Sequence, residues 1–112
     1  MPEGERSGFR IVGPRKGKII RASVLNVQLV EFSYHALERM RSREVTEEDV
    51  LSAVRNPTKT GLGAEPGNEH IRWEKDRRTL IDVVYAKKAD RVGIITIWKT
   101  RRSLIRPTRR QR

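Results

Sequence analysis

The segment that most constrains the fold is a pair of consecutive helix patterns that ends at a proline. Ser33 offers a hydroxyl to cap a first helix over about residues 34–43. Thr46 opens a second helix, whose acidic first turn suits the positive end of the helix dipole. Asn56-Pro57 ends it, because the proline ring disfavours a helical conformation at the residue before it. The predicted core stripes are Ala36, Leu37 and Met40 in the first helix and Val50, Leu51 and Val54 in the second.

Strand patterns lie on both sides of the helical pair. Before it, Leu25, Val27 and Leu29 alternate with polar residues, which predicts one half-buried strand leading to Phe32. After it, runs at residues 70–75, 79–87 and 92–100 are separated by short turns, which predicts an antiparallel meander. Residues 58–68 contain three glycines and a proline and are predicted as a loop. The predicted order is β-α-α-β-β-β, an α+β domain with two helices packed on a small antiparallel sheet.

Length and charge indicate the domain organisation and the class of partner. The 112 residues suffice for one domain, predicted at 18–100 between a flexible arm at 1–17 and a basic, disordered tail at 101–112. The net charge of +11 favours a polyanion, with RNA or DNA ahead of a membrane surface, and an acidic protein is an alternative. Residues 99–112 hold seven Lys and Arg and no acid, which suits unselective phosphate contacts or a solubility tail.

Several classes of chemistry are excluded. The chain has no cysteine, so it has no disulfide framework, thiolate nucleophile or Cys-based zinc site, and the cytoplasm is the expected compartment. No apolar run approaches the roughly 20 residues that span a bilayer, so no membrane association is expected. Two histidines without a metal-ligand spacing predict no required metal. The Gly61-Leu62-Gly63 loop lacks the lysine or third glycine of a phosphate-binding loop, and no cofactor is predicted.

A stripe of basic side chains runs along the first predicted helix. At about 100° per residue, His35, Arg39 and Arg43 share one side, beside the apolar stripe. Cleavage of RNA needs such residue types, namely a group that titrates near neutral pH and fixed cations for the charge of the transition state. The simpler interpretation is a helix-start histidine packed against the sheet beside a solvated arginine face. Arg39 also has an alternative partner in a strand carboxylate such as Asp82.

The first meander strand offers two further candidates. Alternation places His70 and Arg72 on one face and Ile71 and Trp73 on the other. Arg72 is either a phosphate ligand, since arginine binds phosphate through two parallel hydrogen bonds, or a surface cation. His70 is either a second proton-transfer group or a residue at a loop end.

The last strand and the basic tail complete the set of candidate nucleic-acid contacts. Trp98 is expected in the core, the usual place for a large aromatic side chain in a strand. If it is exposed, it can stack a base beside Lys99 and Arg101, which is a common way for proteins to bind single-stranded RNA. Arg102 and Arg106 are the further phosphate-binding candidates.

The helical segment resembles a known family. It reads H-A-x-E-R-M-x-x-R at residues 35–43, then V-T-E-E-D-V at 45–50 and N-P at 56–57, before three strands. This pattern resembles a family of small uncharacterised domains related to RelE and BrnT type toxins, over about residues 30–100. The resemblance implies a RelE/BrnT-like fold and a metal-independent ribonuclease, with His35 and Arg39 at recurrent His and Arg positions and Arg43 at a second basic position. Glu44 departs from the pattern, in which glycine commonly follows that arginine, and a left-handed helix end is costlier without glycine.

The leading hypothesis is therefore a toxin-type endoribonuclease. His35 would transfer a proton, and Arg39, Arg43 and Arg72 would bind the scissile phosphate. A toxin of this class needs an acidic antitoxin partner, which a positive surface accommodates. The alternatives are a non-catalytic nucleic-acid-binding module and an interaction protein that docks an acidic protein.

Overall fold

Six strands form one mixed sheet in the computed structural model, which describes residues 16–102. The elements in chain order are β1 (Lys18–Val24), β2 (Val27–Phe32), α1 (Tyr34–Arg43), α2 (Glu47–Arg55), β3 (Lys59–Leu62), β4 (Asn68–Asp76), β5 (Thr79–Lys87) and β6 (Val92–Arg101). The strand order is β1-β2-β6-β5-β4-β3. The β2–β6 pair is parallel and the other four pairs are antiparallel.

The α+β class, both helices and the three-strand meander are confirmed, but the sheet is larger than predicted. Leu25 and Asn26 have φ values of 48° and 70° and form the turn between β1 and β2. The predicted single strand through Leu25 is therefore wrong, and β1 is an additional strand. A two-residue turn of this type needs positive φ at both central residues and usually contains glycine, which this one lacks.

The prediction of a loop at 58–68 is also wrong in part. Residues 59–62 form β3, which pairs with β4 from Lys59 opposite Arg72 to Leu62 opposite Glu69. All four residues of this edge strand are exposed, so it has no alternation of apolar and polar residues that a sequence could reveal. The prediction of an all-antiparallel sheet is wrong because β2 lies between β1 and β6 and runs parallel to β6.

The helix ends follow from local chemistry. The Ser33 hydroxyl accepts a hydrogen bond from Ala36 N at 2.9 Å and caps α1. In the capping box of α2, the Thr46 hydroxyl accepts from Asp49 N at 3.0 Å, and Asp49 Oδ2 accepts from Thr46 N at 3.2 Å. Glu44 ends α1 in the left-handed conformation, with φ 58° and ψ 50°, without the glycine that usually occupies such a position.

The two faces of the sheet differ in cover. On the helix face, Ile71, Val83 and Ile97 are paired across β4, β5 and β6 and are buried against the core. Lys75 is four residues after Ile71 in β4 and therefore lies on the same face of the sheet. It forms an ion pair with Asp49 of α2 at 3.2 Å, which shows that α2 packs on this face. The opposite side carries neither helix and is called the open face below. Its central residues in β4, β5 and β6 are His70, Arg72, Asp82, Val84 and Trp98.

Of the predicted arm and tail, only residues 16, 17, 101 and 102 belong to the described part of the chain. None of the helices within residues 16–102 is long and apolar enough to cross a membrane.

Candidate functional site

A buried carboxylate lies at the centre of the open face. Asp82 is 1% exposed, although neither α1 nor α2 covers this side of the sheet. Its Oδ1 lies 3.1 Å from His70 Nε2 and accepts a hydrogen bond from Arg72 Nε at 3.0 Å. A buried carboxylate is costly unless charged or polar partners compensate it. These three residues, the Asp82 cluster, are therefore held together by a shared acceptor.

The shared acceptor leaves one polar end of each partner available. The contact with Asp82 Oδ1 favours a proton on His70 Nε2, and we assign that tautomer, which leaves a lone pair on Nδ1. Arg72 binds Asp82 through Nε, and its two terminal amino groups make no hydrogen bond within residues 16–102. The His70 and Arg72 side chains are 36% and 44% exposed. Both groups can thus reach a ligand without leaving Asp82.

The second carboxylate oxygen of Asp82 has no protein partner among residues 16–102. Oδ2 is buried and makes no hydrogen bond within the described residues. A buried acceptor without a donor lowers stability, and such groups are rare outside strained or functional positions. The Asp82 cluster therefore carries a cost that packing alone does not explain.

A cleft beside β3 gives access to the Asp82 cluster. It has a volume of about 170 Å³ and is lined by the four residues of β3 together with His70, Arg72 and Asp82. Lys59 of β3 lies opposite Arg72 in the sheet. The cleft therefore contains two cations, Lys59 and Arg72, beside His70, and its one carboxylate is already hydrogen-bonded. This composition favours an anionic ligand such as a phosphate group.

An exposed aromatic ring adjoins this cleft. Trp98 lies opposite Asp82 in β6 and is 36% exposed, so the expected core position for Trp98 is wrong. The register places it on the open face, where its ring centroid is 5.5 Å from that of His70, with an angle of 61° between the rings. Lys99 points to the helix face, where Nζ donates to Glu44 O at 3.4 Å. Trp98 therefore has His70 beside it. Because successive residues of a strand point to opposite faces, Arg101 lies on the same face as Lys99, opposite to that of Trp98.

Two of the three predicted site residues of α1, His35 and Arg39, lie in a separate cleft, whereas Arg43 does not line it. The cleft has a volume of about 440 Å³ and is lined by Tyr34, His35, Glu38, Arg39 and Ser42, without any member of the Asp82 cluster. The helix packs on the helix face, whereas the Asp82 cluster is on the open face. The structure thus does not bring His35 and Arg39 together with Arg72.

Within residues 16–102, no buried carboxylate is hydrogen-bonded to the side chains of His35, Arg39 and Arg43, in contrast to the Asp82 cluster. His35 and Arg43 are exposed, and no side-chain hydrogen bond fixes the His35 ring within the described part of the chain. The alternative pairing of Arg39 with Asp82 is wrong, because Asp82 is bound by His70 and Arg72.

The structure also shows the positions of Arg101 and Arg102, two further candidate phosphate ligands at the end of β6. Arg101 is opposite Thr79, at the start of β5. Arg102 donates from its backbone N to Arg78 O at 2.8 Å and forms an ion pair with Glu74. Arg106 lies outside the described residues.

The sequence did not predict that Asp82 binds and orients His70 and Arg72. The available signal was an acidic residue inside the apolar run Ile81-Asp82-Val83-Val84, because a carboxylate is rarely buried without a partner. No group of three or more His, Asp and Glu side chains within residues 16–102 is arranged to hold a metal ion.

Two capped helices on a six-stranded mixed sheet, with a polar cluster on the uncovered face, define the class of this domain. The chain belongs to the family described as a domain of unknown function (DUF4258), whose model matches residues 32–99, more than half of the chain. The match contains both helices and the whole Asp82 cluster and begins after most of the β1–β2 hairpin. The expected family of uncharacterised domains is confirmed. The comparison with curated proteins finds no match, and neither does the comparison with solved structures.

Proposed function

We propose that this domain binds RNA on its open face and cleaves it without a metal ion, as an endoribonuclease of toxin type. The observation that carries the proposal is the buried Asp82, which holds a histidine and an arginine whose remaining polar ends are free for a ligand in one cleft. The same three residue types serve phosphodiester cleavage in RNA, and the net charge of +11 favours a polyanionic substrate.

Each member of the Asp82 cluster has a distinct task in this proposal. His70 Nδ1 takes the proton of the ribose 2′-hydroxyl, while the 2′-oxygen forms a bond to phosphorus. The bond from phosphorus to the 5′-oxygen breaks, and a 2′,3′-cyclic phosphate results. The departing oxygen takes a proton from water, and the His70 imidazolium gives its proton to the hydroxide that remains. The terminal amino groups of Arg72 bind the non-bridging oxygens, whose charge rises in the transition state. Asp82 positions both side chains and stabilises the imidazolium that forms.

Trp98 favours single-stranded RNA as the substrate. An exposed indole offers a flat surface on which an unpaired base can stack, and such stacking contributes about 1–3 kcal/mol per base. Trp98 adjoins His70, so a base next to the scissile phosphate would lie on it. This feature also favours the second candidate function, a non-catalytic nucleic-acid-binding module, because stacking does not require catalysis.

The cleft on α1 remains the alternative location, with His35 in proton transfer and Arg39 as a phosphate ligand there, and with Arg43 as a further phosphate ligand on the same helix. An acidic protein partner of antitoxin type would bind through the same excess of positive charge. The resemblance of the helical sequence pattern to a family related to RelE and BrnT type toxins is a further argument for the ribonuclease proposal.

The test is cleavage of single-stranded RNA by the purified full chain in the presence of a chelator. We expect His70→Ala to lower the cleavage rate by about 10²-fold or more, since positioned proton transfer contributes about 10²–10⁴-fold. The matched variant His35→Ala should retain near-full activity, and circular dichroism should show both to be folded. Full activity of His70→Ala would remove the assignment, and loss confined to His35→Ala would move the site to α1. RNA binding without cleavage by the unaltered chain would leave the binding module.

A further inference from the structure

A second concentration of positive charge lies at the hairpin between β4 and β5. Arg77 and Arg78 form the turn of this hairpin, and Arg101 of β6 lies opposite Thr79. These three arginines line a cleft of about 440 Å³, together with Asp76 and Thr79. We call the three arginines the hairpin-end cluster.

The nearby acids do not neutralise this cluster. Asp76 Oδ1 accepts a hydrogen bond from Arg78 N at 2.9 Å within the turn, and this bond lowers the pKa of Asp76, so the carboxylate is bound to the backbone. Glu74 forms its ion pair with Arg102. Within residues 16–102, none of Arg77, Arg78 and Arg101 has an ion pair. The cleft is thus lined by three arginines and one carboxylate, which leaves it with an excess of positive charge.

The turn that carries the cluster is tied to the end of β6. Arg102 donates from its backbone N to Arg78 O at 2.8 Å and from Nε to Arg77 O at 3.0 Å. These bonds use the backbone carbonyl oxygens of the turn and leave its guanidinium groups free. A cationic site on a fixed backbone loses less entropy on binding than one on a loose loop.

We propose that the hairpin-end cluster is a second phosphate-binding site, which takes a backbone phosphate of the RNA whose scissile phosphate lies at the Asp82 cluster. The inference rests on the proposed function and specifies its substrate. Arg72 and Asp76 are four residues apart in β4, a distance of about 13 Å along a strand. The RNA chain would then leave the open face at the end of β4 and reach the β4–β5 turn, where Arg77 and Arg78 lie, with Arg101 beside them on the helix face. Recognition requires an oligonucleotide that extends beyond the nucleotides at the cleavage site.

The test compares two double variants that remove the same charge from opposite ends of β5. Arg77→Ala with Arg78→Ala removes two guanidinium groups of the hairpin-end cluster and keeps the backbone hydrogen bonds of the turn. Lys87→Ala with Lys88→Ala removes two exposed cations at the β5–β6 turn and is the control. The probes are 2′-O-methylated single-stranded dinucleotides, which have one phosphate, and decanucleotides. Neither can be cleaved through the 2′-oxygen, and both are measured with the full chain at several salt concentrations.

We expect the arginine variant to bind the decanucleotide about tenfold more weakly near 0.1 M salt, with a log–log salt slope shallower by about 0.7, the contribution of one phosphate contact on a single strand. Its affinity for the dinucleotide should change by less, and the lysine control should stay close to the unaltered chain for both probes. Equal weakening in both double variants, or none in the arginine variant, would overturn the proposal. So would failure of the unaltered chain to bind the decanucleotide.

The outcome separates this inference from the proposed function. If decanucleotide binding depends on Arg77 and Arg78 while unmodified RNA stays intact, the second phosphate site is supported and the catalytic assignment fails. If unmodified RNA is cleaved in a manner that depends on His70, but the two double variants bind alike, the catalytic assignment stands and the second phosphate site fails.

Discussion

Arg72 and Asp82 face each other across β4 and β5 on the open face, with Arg72 Nε 3.0 Å from the buried Oδ1 of Asp82. The same oxygen lies 3.1 Å from His70 Nε2. One carboxylate thus orients two side chains that are themselves partly exposed to solvent. This arrangement links the packing of the sheet to the chemistry that we assign to its surface.

The pair predicts a measurable energetic coupling. Arg72→Met leaves Asp82 with one side-chain partner and should lower the free energy of unfolding by about 1–2 kcal/mol, within the range for a buried acceptor that loses a donor. Asp82→Asn removes the buried charge and should cost less. Because Arg72 is 44% exposed and solvent screens it, the coupling in a double-mutant cycle should be only about 1 kcal/mol. Urea unfolding of the four proteins measures it, and strictly additive effects would contradict the coupling.

Trp98 should report RNA binding by fluorescence. The chain has two tryptophans, and Trp73 packs against the core while Trp98 is on the open face. In Trp73→Phe the remaining indole should be quenched when single-stranded RNA is added, because a base stacks on it. In Trp98→Phe the emission of Trp73 should stay constant. Equal responses from the two variants would argue against a stacking role for Trp98.

Glu44 should limit the stability of α1. Its left-handed conformation costs a residue with a Cβ atom about 1 kcal/mol or more relative to glycine. We therefore expect Glu44→Gly to raise the free energy of unfolding by up to about 1 kcal/mol, part of which is offset by the greater freedom of glycine in the unfolded chain. Chemical denaturation measures the change, and Glu48→Gly in the first turn of α2 is the opposite control, which should destabilise. A loss of stability in Glu44→Gly would contradict the strain.

Tyr85 should make the fold sensitive to alkaline pH. Burial raises the pKa of the Tyr85 hydroxyl, and the negative charge of Glu69 raises it further. The native state therefore holds this proton at pH values where the unfolded chain has lost it. Stability from this group is complete below the ordinary pKa of about 10 and falls as the pH rises from there towards the native value. Unfolding measured between pH 9 and 11 should show a smaller decline in Tyr85→Phe, and an identical decline would contradict the burial effect.

The helical half of the fold could be predicted from sequence because its signals are local. Ser33 and Thr46 cap their own helices within three residues, and Pro57 follows the end of the second. β1 escaped prediction because Leu25 occupies a turn position with positive φ, where a sequence reader expects glycine or asparagine. β3 escaped because an exposed edge strand has no apolar pattern.

The candidate site could be predicted only in part, because it depends on strand register. Alternation correctly placed His70 and Arg72 on one face, since both belong to the same strand. Their meeting with Asp82 and Trp98 depends on how three strands align across the sheet, which no local pattern specifies. The sequence pattern predicted His35 as the proton-transfer residue. Within residues 16–102, however, it is His70 that is hydrogen-bonded to a buried carboxylate shared with an arginine.

The two histidines provide the most direct test of the central claim, that RNA binds the open face. Each lies in one of the two candidate clefts, so their imidazole signals in a ¹H–¹³C NMR spectrum report the clefts separately. Titration with a 2′-O-methylated single-stranded oligonucleotide should shift the His70 signals and leave the His35 signals unchanged, with His35→Ala and His70→Ala providing the assignments. A shift confined to His35, or the absence of any shift at saturating oligonucleotide, would contradict the account.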